Sequence, residues 1–251
     1  MPASILQHIQ AKKAKLDTLR PLSREQLQRL KTYFDIEFTY HSNAIEGNTL
    51  NFSETKLVIN EGLTIGGKSL NEHLEAINHK EAIDFIEELS QQQTITLKDI
   101  KDLHFLILKG IDTQNAGTFR NIEVGVRKSN GEIHTFCEPL KVPEKMQEFI
   151  EAFNTPSNDI PTQAAKLHLE FVTIHPFSDG NGRCARLLMN LKLLQEGYPL
   201  TIIHVKDRVQ YIQAIEKYQQ VGDDTAFVEL VAKKVDESLG KYIELVNTKV
   251  L

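Results

Sequence analysis

The sequence predicts a mainly α protein carrying one β-hairpin, and three observations predict it. Apolar residues recur at three- and four-residue spacing through most of the chain. Ser23-Arg-Glu-Gln26 has the form of a capping box, and Thr96 stands as a second helix cap ahead of an apolar run. An Asn-Gly pair, Asn130-Gly131, lies between two runs of strand character.

Taken in order, the capping box starts a helix on which Leu27, Leu30 and Phe34 follow at helical spacing. That helix, or a successor after a kink, extends to Ile45 and stops at Gly47-Asn48. A second helix over 71–89 is expected to turn Leu74, Ile77, Phe85 and Ile86 inward, and Thr96 caps a third carrying Ile100, Leu103, Ile107 and Leu108. Strands over 118–126 and 132–136 flank the turn Ser129-Asn130-Gly131. Helical pattern resumes over 142–153 and again over 161–174, through Ala164, Leu167, Phe171 and Ile174. After the segment 175–181, a helix from about Gly182 presents Leu187, Leu188, Leu191 and Leu194 until Gly197 and Pro199 stop it. Residues 207–246 hold two or three more helices.

Bulk properties narrow the function classes. A chain of 251 residues buries a substantial core without staples. A net charge of −5 argues against a dedicated nucleic-acid binder, whose footprint is a basic face. Two distant cysteines, Cys137 and Cys184, form neither a disulfide framework nor a spaced metal set. With no apolar run of membrane-spanning length and no signal-peptide pattern at the start, a cytoplasmic protein that does not bind membranes is expected.

The segment that carries chemistry reads His175-Pro-Phe-Ser-Asp-Gly-Asn-Gly-Arg-Cys-Ala-Arg186. Gly180-Asn181-Gly182 is a flexible turn feeding a helix, whose free N–H groups and dipole make an anion site. Arg183 and Arg186 share a face of the first turn, where dipole rules favour acids. A polyphosphate resolves that conflict. Asp179 adds a hard oxygen ligand suited to Mg²⁺, and His175 a base that titrates near neutral pH.

This segment resembles the Fic domain signature, His-x-Phe-x-(Asp/Glu)-Gly-Asn-Gly-Arg-x-x-Arg, and matches it at every specified position. The resemblance extends more loosely from about residue 37 to 230. It implies a helical region over 1–90, a core over 91–230 with a β-hairpin flap over 117–139, and a terminal helix over 231–251. It further implies transfer of AMP from ATP to a Ser, Thr or Tyr hydroxyl of a target protein, self-modification included. In that reading His175 deprotonates the hydroxyl and Asp179 holds Mg²⁺. Gly180 and Gly182 supply the cradle, Asn181 orients the α-phosphate, and Arg183 and Arg186 contact the phosphate chain. The resemblance makes Gly182 a marker of nucleotide transfer, because related kinase toxins carry Lys there.

Three further features take meaning from the resemblance. Ile122, Val124, Ile133 and Thr135 belong to the flap, whose exposed strand would dock a target segment by backbone pairing. Tyr211 and Gln219 fall on the adenine-side helix, although Ile212 and Gln219 depart from the common Tyr and Asn. Ser42-Asn-Ala-Ile-Glu46-Gly47-Asn48 resembles an inhibitory segment whose acid pairs with Arg186 and denies it to the γ-phosphate. The alternatives are a de-AMPylase in which Glu46 positions water, and an adenine-nucleotide sensor without catalysis. Homodimerisation, common among relatives, is an open expectation.

Overall fold

Helical structure begins earlier than the sequence signals. The structure, a computed structural model, describes residues 3–127 and 131–248. Its first element, α1 (Ala3–Thr18), lies along the last, α10 (Thr225–Asn247), and buries Ile9 and Leu16 in a cluster that includes Leu239 and Ile243. Two buried apolar positions two turns apart are too sparse a stripe to announce a helix by periodicity.

The Ser23–Gln26 capping box forms as expected, with both reciprocal hydrogen bonds, and starts α2 (Arg24–Ile45). This is one continuous helix, and Glu46 caps its C-terminus ahead of Gly47 at φ +102°. Leu30, Phe34, Phe38 and Ile45 are buried, whereas Leu27 is 51% exposed. Helix α3 (Phe52–Glu61) starts at a capping box between Asn51 and Glu54, and α4 (Leu70–Leu89) at one between Ser69 and Glu72.

On α4 the expected inward face is corrected. Ile77 is 38% exposed, and the buried face runs through His73, Ala76, Asn78, His79, Ala82, Ile83 and Ile86. Polar residues take those positions because they find partners there: Asn78 Nδ2 donates to Lys109 O at 2.7 Å, and His73 Nε2 accepts the Ile65 N–H at 2.8 Å.

Thr96 caps α5 (Leu97–Leu108). The hairpin is shorter than expected, with β1 (Gly125–Arg127) antiparallel to β2 (Ile133–Thr135) and Val126 opposite His134. Residues 118–124 are irregular, since the chain there is held by Arg120 rather than by a ladder. Ser129 and Asn130 lie outside the described residues.

The remaining helices are α6 (Val142–Asn154), α7 (Ile160–Ile174), α8 (Asn181–Gln195) and α9 (Arg208–Val221). The pair α7 and α8 is central. Phe171 and Leu187 join Phe149, Phe153 and Phe177 in one cluster, which also takes Phe34 and Phe38 from α2 and Leu103 from α5. A second cluster links α7 and α8 to α1, α9 and α10. The loop between α7 and α8 therefore emerges at one end of a packed helix pair, on a rigid base. Among the described residues no helix is long and apolar enough to cross a membrane.

Candidate active site

Helix α7 stops at His175, whose φ of 51° and ψ of 60° place a non-glycine residue in the left-handed region. Such a conformation costs on the order of 1 kcal/mol and persists only where the surroundings impose it. Here they do. Arg120 is buried and donates from Nε to His175 O at 2.7 Å, from Nη1 to Ile122 O at 2.9 Å and from Nη2 to Cys137 O at 2.6 Å. Its own N–H donates to Pro176 O at 2.9 Å. One guanidinium thus pins the turn at His175 to both legs of the flap.

The His175 ring stacks on Phe136 with centroids 3.8 Å apart and planes 14° from parallel. Its Nδ1 lies 3.4 Å from Val172 O, so Nδ1–H donates there and Nε2 keeps its lone pair. Burial pushes the imidazole down to about 4, with nearby Arg120 adding to the effect and the Val172 bond opposing it. A neutral base at physiological pH is the result.

The loop folds back on itself through Asn181, whose Oδ1 accepts the Phe177 N–H at 3.0 Å and whose Nδ2 donates to Phe177 O at 2.8 Å. That buried side chain is engaged by the loop backbone. Gly180, at φ 75°, is the N-cap of α8 and provides no side-chain cap, so the first N–H groups of α8 lack the usual oxygen partner. Asp179 projects outward with its side chain 71% exposed.

The two arginines differ in their partners. Arg183 is buried, donates from Nη1 to Glu75 Oε1 at 3.3 Å, and has an Nε with no hydrogen-bond partner among the described residues. Glu75 is held in turn by Asn48 Nδ2 at 2.8 Å. Arg186 is 1% exposed and fully engaged. Its Nε donates to Ser42 Oγ at 3.0 Å, its Nη2 to Ser42 O at 2.9 Å and Glu46 Oε1 at 2.7 Å, and its Nη1 to the Tyr211 hydroxyl at 3.2 Å. The Tyr211 hydroxyl lies 2.9 Å from His168 Nε2, to which it donates, since burial holds His168 well below the ordinary range and hence neutral.

Two cavities meet at this point. One, of about 440 Å³, is lined by Val124, Val126, His175, Asp179, Gly182 and Arg183. The other, of about 470 Å³, is lined by Phe136, Arg208, Tyr211, Ile212, Ile215 and Gln219. Glu46, Val126, His175 and Gly182 border both. Glu46 thus stands on the divide of one groove, with the expected phosphate side on one hand and Tyr211 and Gln219 on the other. Gly182 is the reason it fits there: a Cβ at this position would collide with Glu46 Oε1. Of the flap residues, Val124 reaches the groove, while Ile122, Ile133 and Thr135 are exposed on the hairpin and its approach.

Sequence reasoning missed Glu75, His104 and His168, each of which acts through a partner remote in sequence. Away from the groove, Glu37, His41 and His204 gather with their ligand atoms within 4.8 Å of one another. His41 Nδ1 already accepts the Val205 N–H at 3.3 Å and its Nε2 faces Glu37 at 3.2 Å.

Comparison with known proteins finds relatives in sequence and in fold. The family model described as Fic/DOC family matches residues 94–193. The chain is 35% identical over 236 residues to the protein adenylyltransferase fic-1 of Caenorhabditis elegans, covering 92% of this chain and 44% of that protein. It is 32% identical over 245 residues to the protein adenylyltransferase Fic of Nematostella vectensis, covering 95% and 56%. The chain spans about half the length of the curated relatives it matches. Among solved structures, a Fic domain containing signaling protein from Bacteroides thetaiotaomicron superposes with a TM-score of 0.90 at 29% identity, over 97% of this chain and 98% of that one. Fic-1 of C. elegans superposes with a TM-score of 0.84 at 30% identity, over 96% and 71%.

Proposed function

Since this chain belongs to the Fic/DOC family, we propose that it transfers AMP from ATP to a hydroxyl group of a protein and that Glu46 restrains it. The observation that carries the reading is a neutral imidazole with a free Nε2 beside an uncapped helix start and two buried arginines. No purely structural turn needs that combination. A binding protein without catalysis would need the cradle but not the base.

In the reaction, the target hydroxyl gives its proton to His175 Nε2 as its oxygen attacks the α-phosphorus. The bond from the α-phosphorus to the bridging oxygen breaks, and pyrophosphate leaves. The N–H groups at the start of α8 and the guanidinium groups of Arg183 and Arg186 stabilise the phosphate charge. Asn181 serves by holding the loop closed on Phe177. Asp179 suits Mg²⁺, which takes one or two carboxylates and fills its shell with phosphate oxygens and water. The exposed carboxylate of Asp179 at the cavity wall meets that requirement, and the ion would neutralise charge on the leaving pyrophosphate.

The exposed edge at Ile133 and Thr135 supports docking of a target segment by strand addition, and Tyr211 with Gln219 supports a base-binding side. A reducing compartment suits the two free cysteines. The position of Glu46 beside His175, in the same groove, also favours a second reading: the removal reaction, with Glu46 orienting water against an AMP–protein bond. Treating a cell lysate with ATP and the Glu46→Gly protein, then searching by mass spectrometry for AMP adducts, tests the first reading. Offering AMP-modified target to the unaltered chain tests the second.

A further inference from the structure

Resting on the reading of 175–186 as a phosphate-binding loop, we infer that His104 is a positioning residue. It holds the Asp179–Gly180 peptide in the one orientation a phosphate tolerates and ties that loop to the root of the flap.

His104 sits on α5, 75 residues from Asp179, and is fully buried. Both ring nitrogens are used. Nδ1 accepts the Gly117 N–H at 2.9 Å, which leaves Nε2 as the protonated nitrogen. Nε2 lies 3.0 Å from Asp179 O and donates to it. The ring face stacks on Phe177 with centroids 3.6 Å apart and planes 3° from parallel.

The peptide so held is the critical one. Gly180 is at φ 75°, and a glycine there lets the preceding peptide rotate with little steric opposition. Rotation would swing Asp179 C=O toward the cradle and set its negative end against the incoming phosphate. The Asp179 carboxylate accepts the Gly180 N–H at 2.6 Å and faces Arg183 Nη2 at 3.7 Å, but neither contact holds the Asp179 carbonyl. His104 supplies the anchor from another helix. Through Gly117 the same ring fixes the start of the flap, where the chain takes φ 73° with Lys101 O only 3.1 Å from where a Cβ would stand. The phosphate loop and the target-docking element thus share one rigid reference.

Two variants separate the two bonds. In His104→Gln, the amide nitrogen reaches for Asp179 O, while the acceptor for Gly117 is lost. In His104→Asn, the carbonyl serves Gly117, while the reach to Asp179 is lost. Circular dichroism establishes that each variant is folded. In the Glu46→Gly background, calorimetric titration with Mg·ATP is expected to show His104→Asn weakened by roughly tenfold, the equivalent of one net hydrogen bond, and His104→Gln by less. Hydrogen exchange at the Gly117 amide is expected to accelerate in His104→Gln and to stay slow in His104→Asn. Nitrogen-15 NMR of the unaltered chain should find the Nε2–H tautomer at neutral pH. An Nδ1–H tautomer, or wild-type nucleotide affinity in both variants, overturns the inference. Should the Glu46→Gly protein bind no nucleotide, the functional reading falls, while the tautomer and the Gly117 exchange pattern still decide the role of His104.

Discussion

Glu46 Oε1 lies 2.7 Å from Arg186 Nη2, a contact between residues 140 positions apart. The pair joins the C-terminal cap of α2 to the second turn of α8. Arg186 is 1% exposed and Glu46 is 40% exposed, so the cation is committed to the interior while the acid keeps a path to solvent. Ser42 and Tyr211 supply three further acceptors. Burial alone would disfavour the arginine's charge, and Tyr211 and Glu46 hold it in place. When Glu46 leaves, Arg186 keeps three neutral acceptors but loses its carboxylate counter-ion, a deficit that an incoming anion would fill.

Glu46→Gly is expected to raise self-modification by labelled ATP. Holding about 99% of molecules off needs roughly 2.7 kcal/mol, more than the 0–1 kcal/mol of an exposed ion pair. A charge-assisted hydrogen bond contributes about 1.5–3 kcal/mol, which covers that bias. The rate should rise by up to about a hundredfold, with a smaller rise for Ser42→Ala. Equal labelling of both variants and the parent, with ATP binding intact, removes the restraint from the account.

Gly182→Ala tests the same contact from the other side. Its new Cβ meets the free end of the Glu46 side chain, which yields more readily than backbone. ATP affinity should rise in the parent chain and show no such gain in the Glu46→Gly background. The same change in both backgrounds would mean that Gly182 acts on the nucleotide alone.

The His175 proton can be followed directly. Its imidazole is held down to about 4, so the base form is present at every pH above that value in the free chain. NMR titration should place its midpoint well below the ordinary histidine value of about 6.5. Phe136→Ala opens the stack and should raise the midpoint. His175→Ala should abolish transfer and leave ATP binding largely in place, and wild-type rates in that variant would remove the general base.

Tyr211→Phe deletes the hydroxyl that accepts from Arg186 and donates to His168. Two buried groups lose a partner at once, and the loss should cost about 1–3 kcal/mol in denaturant unfolding. A negligible change would show that the hydroxyl is idle in the folded chain.

Buried neutral histidines also set a pH dependence of stability. His79 and His168 are both held well below the ordinary value by burial. Between that depressed range and about pH 6.5 the unfolded chain binds more protons, so stability rises with pH there and is lost as pH falls. Thermal unfolding should occur at lower temperature near pH 5 than near pH 7. A flat profile would contradict the burial of both rings in neutral form.

The legible parts of this molecule were those whose geometry is local. The loop 175–186 could be read because base, turn and arginines follow one another in twelve residues, and its helix start needs no distant partner. The hairpin was visible in Asn130-Gly131, but not its short strands, because Arg120 gathers carbonyl groups from segments up to 55 residues away. Helix α3 escaped notice despite the box at Asn51 and Glu54, since only Thr55 and Val58 are buried on it. Glu75, His104 and His168 had no local signature at all. Their roles arise where α4 and α5 come against the loop and α8, and where α7 comes against α9, and single side chains on helices look alike until the helices are packed.

The central claim is that this loop presents the α-phosphorus of ATP to a hydroxyl activated by His175. Incubating the Glu46→Gly protein with ATP radiolabelled at the α-phosphorus, and in parallel at the γ-phosphorus, tests it most directly. Covalent label from the α position alone, lost when His175→Ala is added, is the expected result. Label from the γ position, or label that survives the loss of His175, would contradict it.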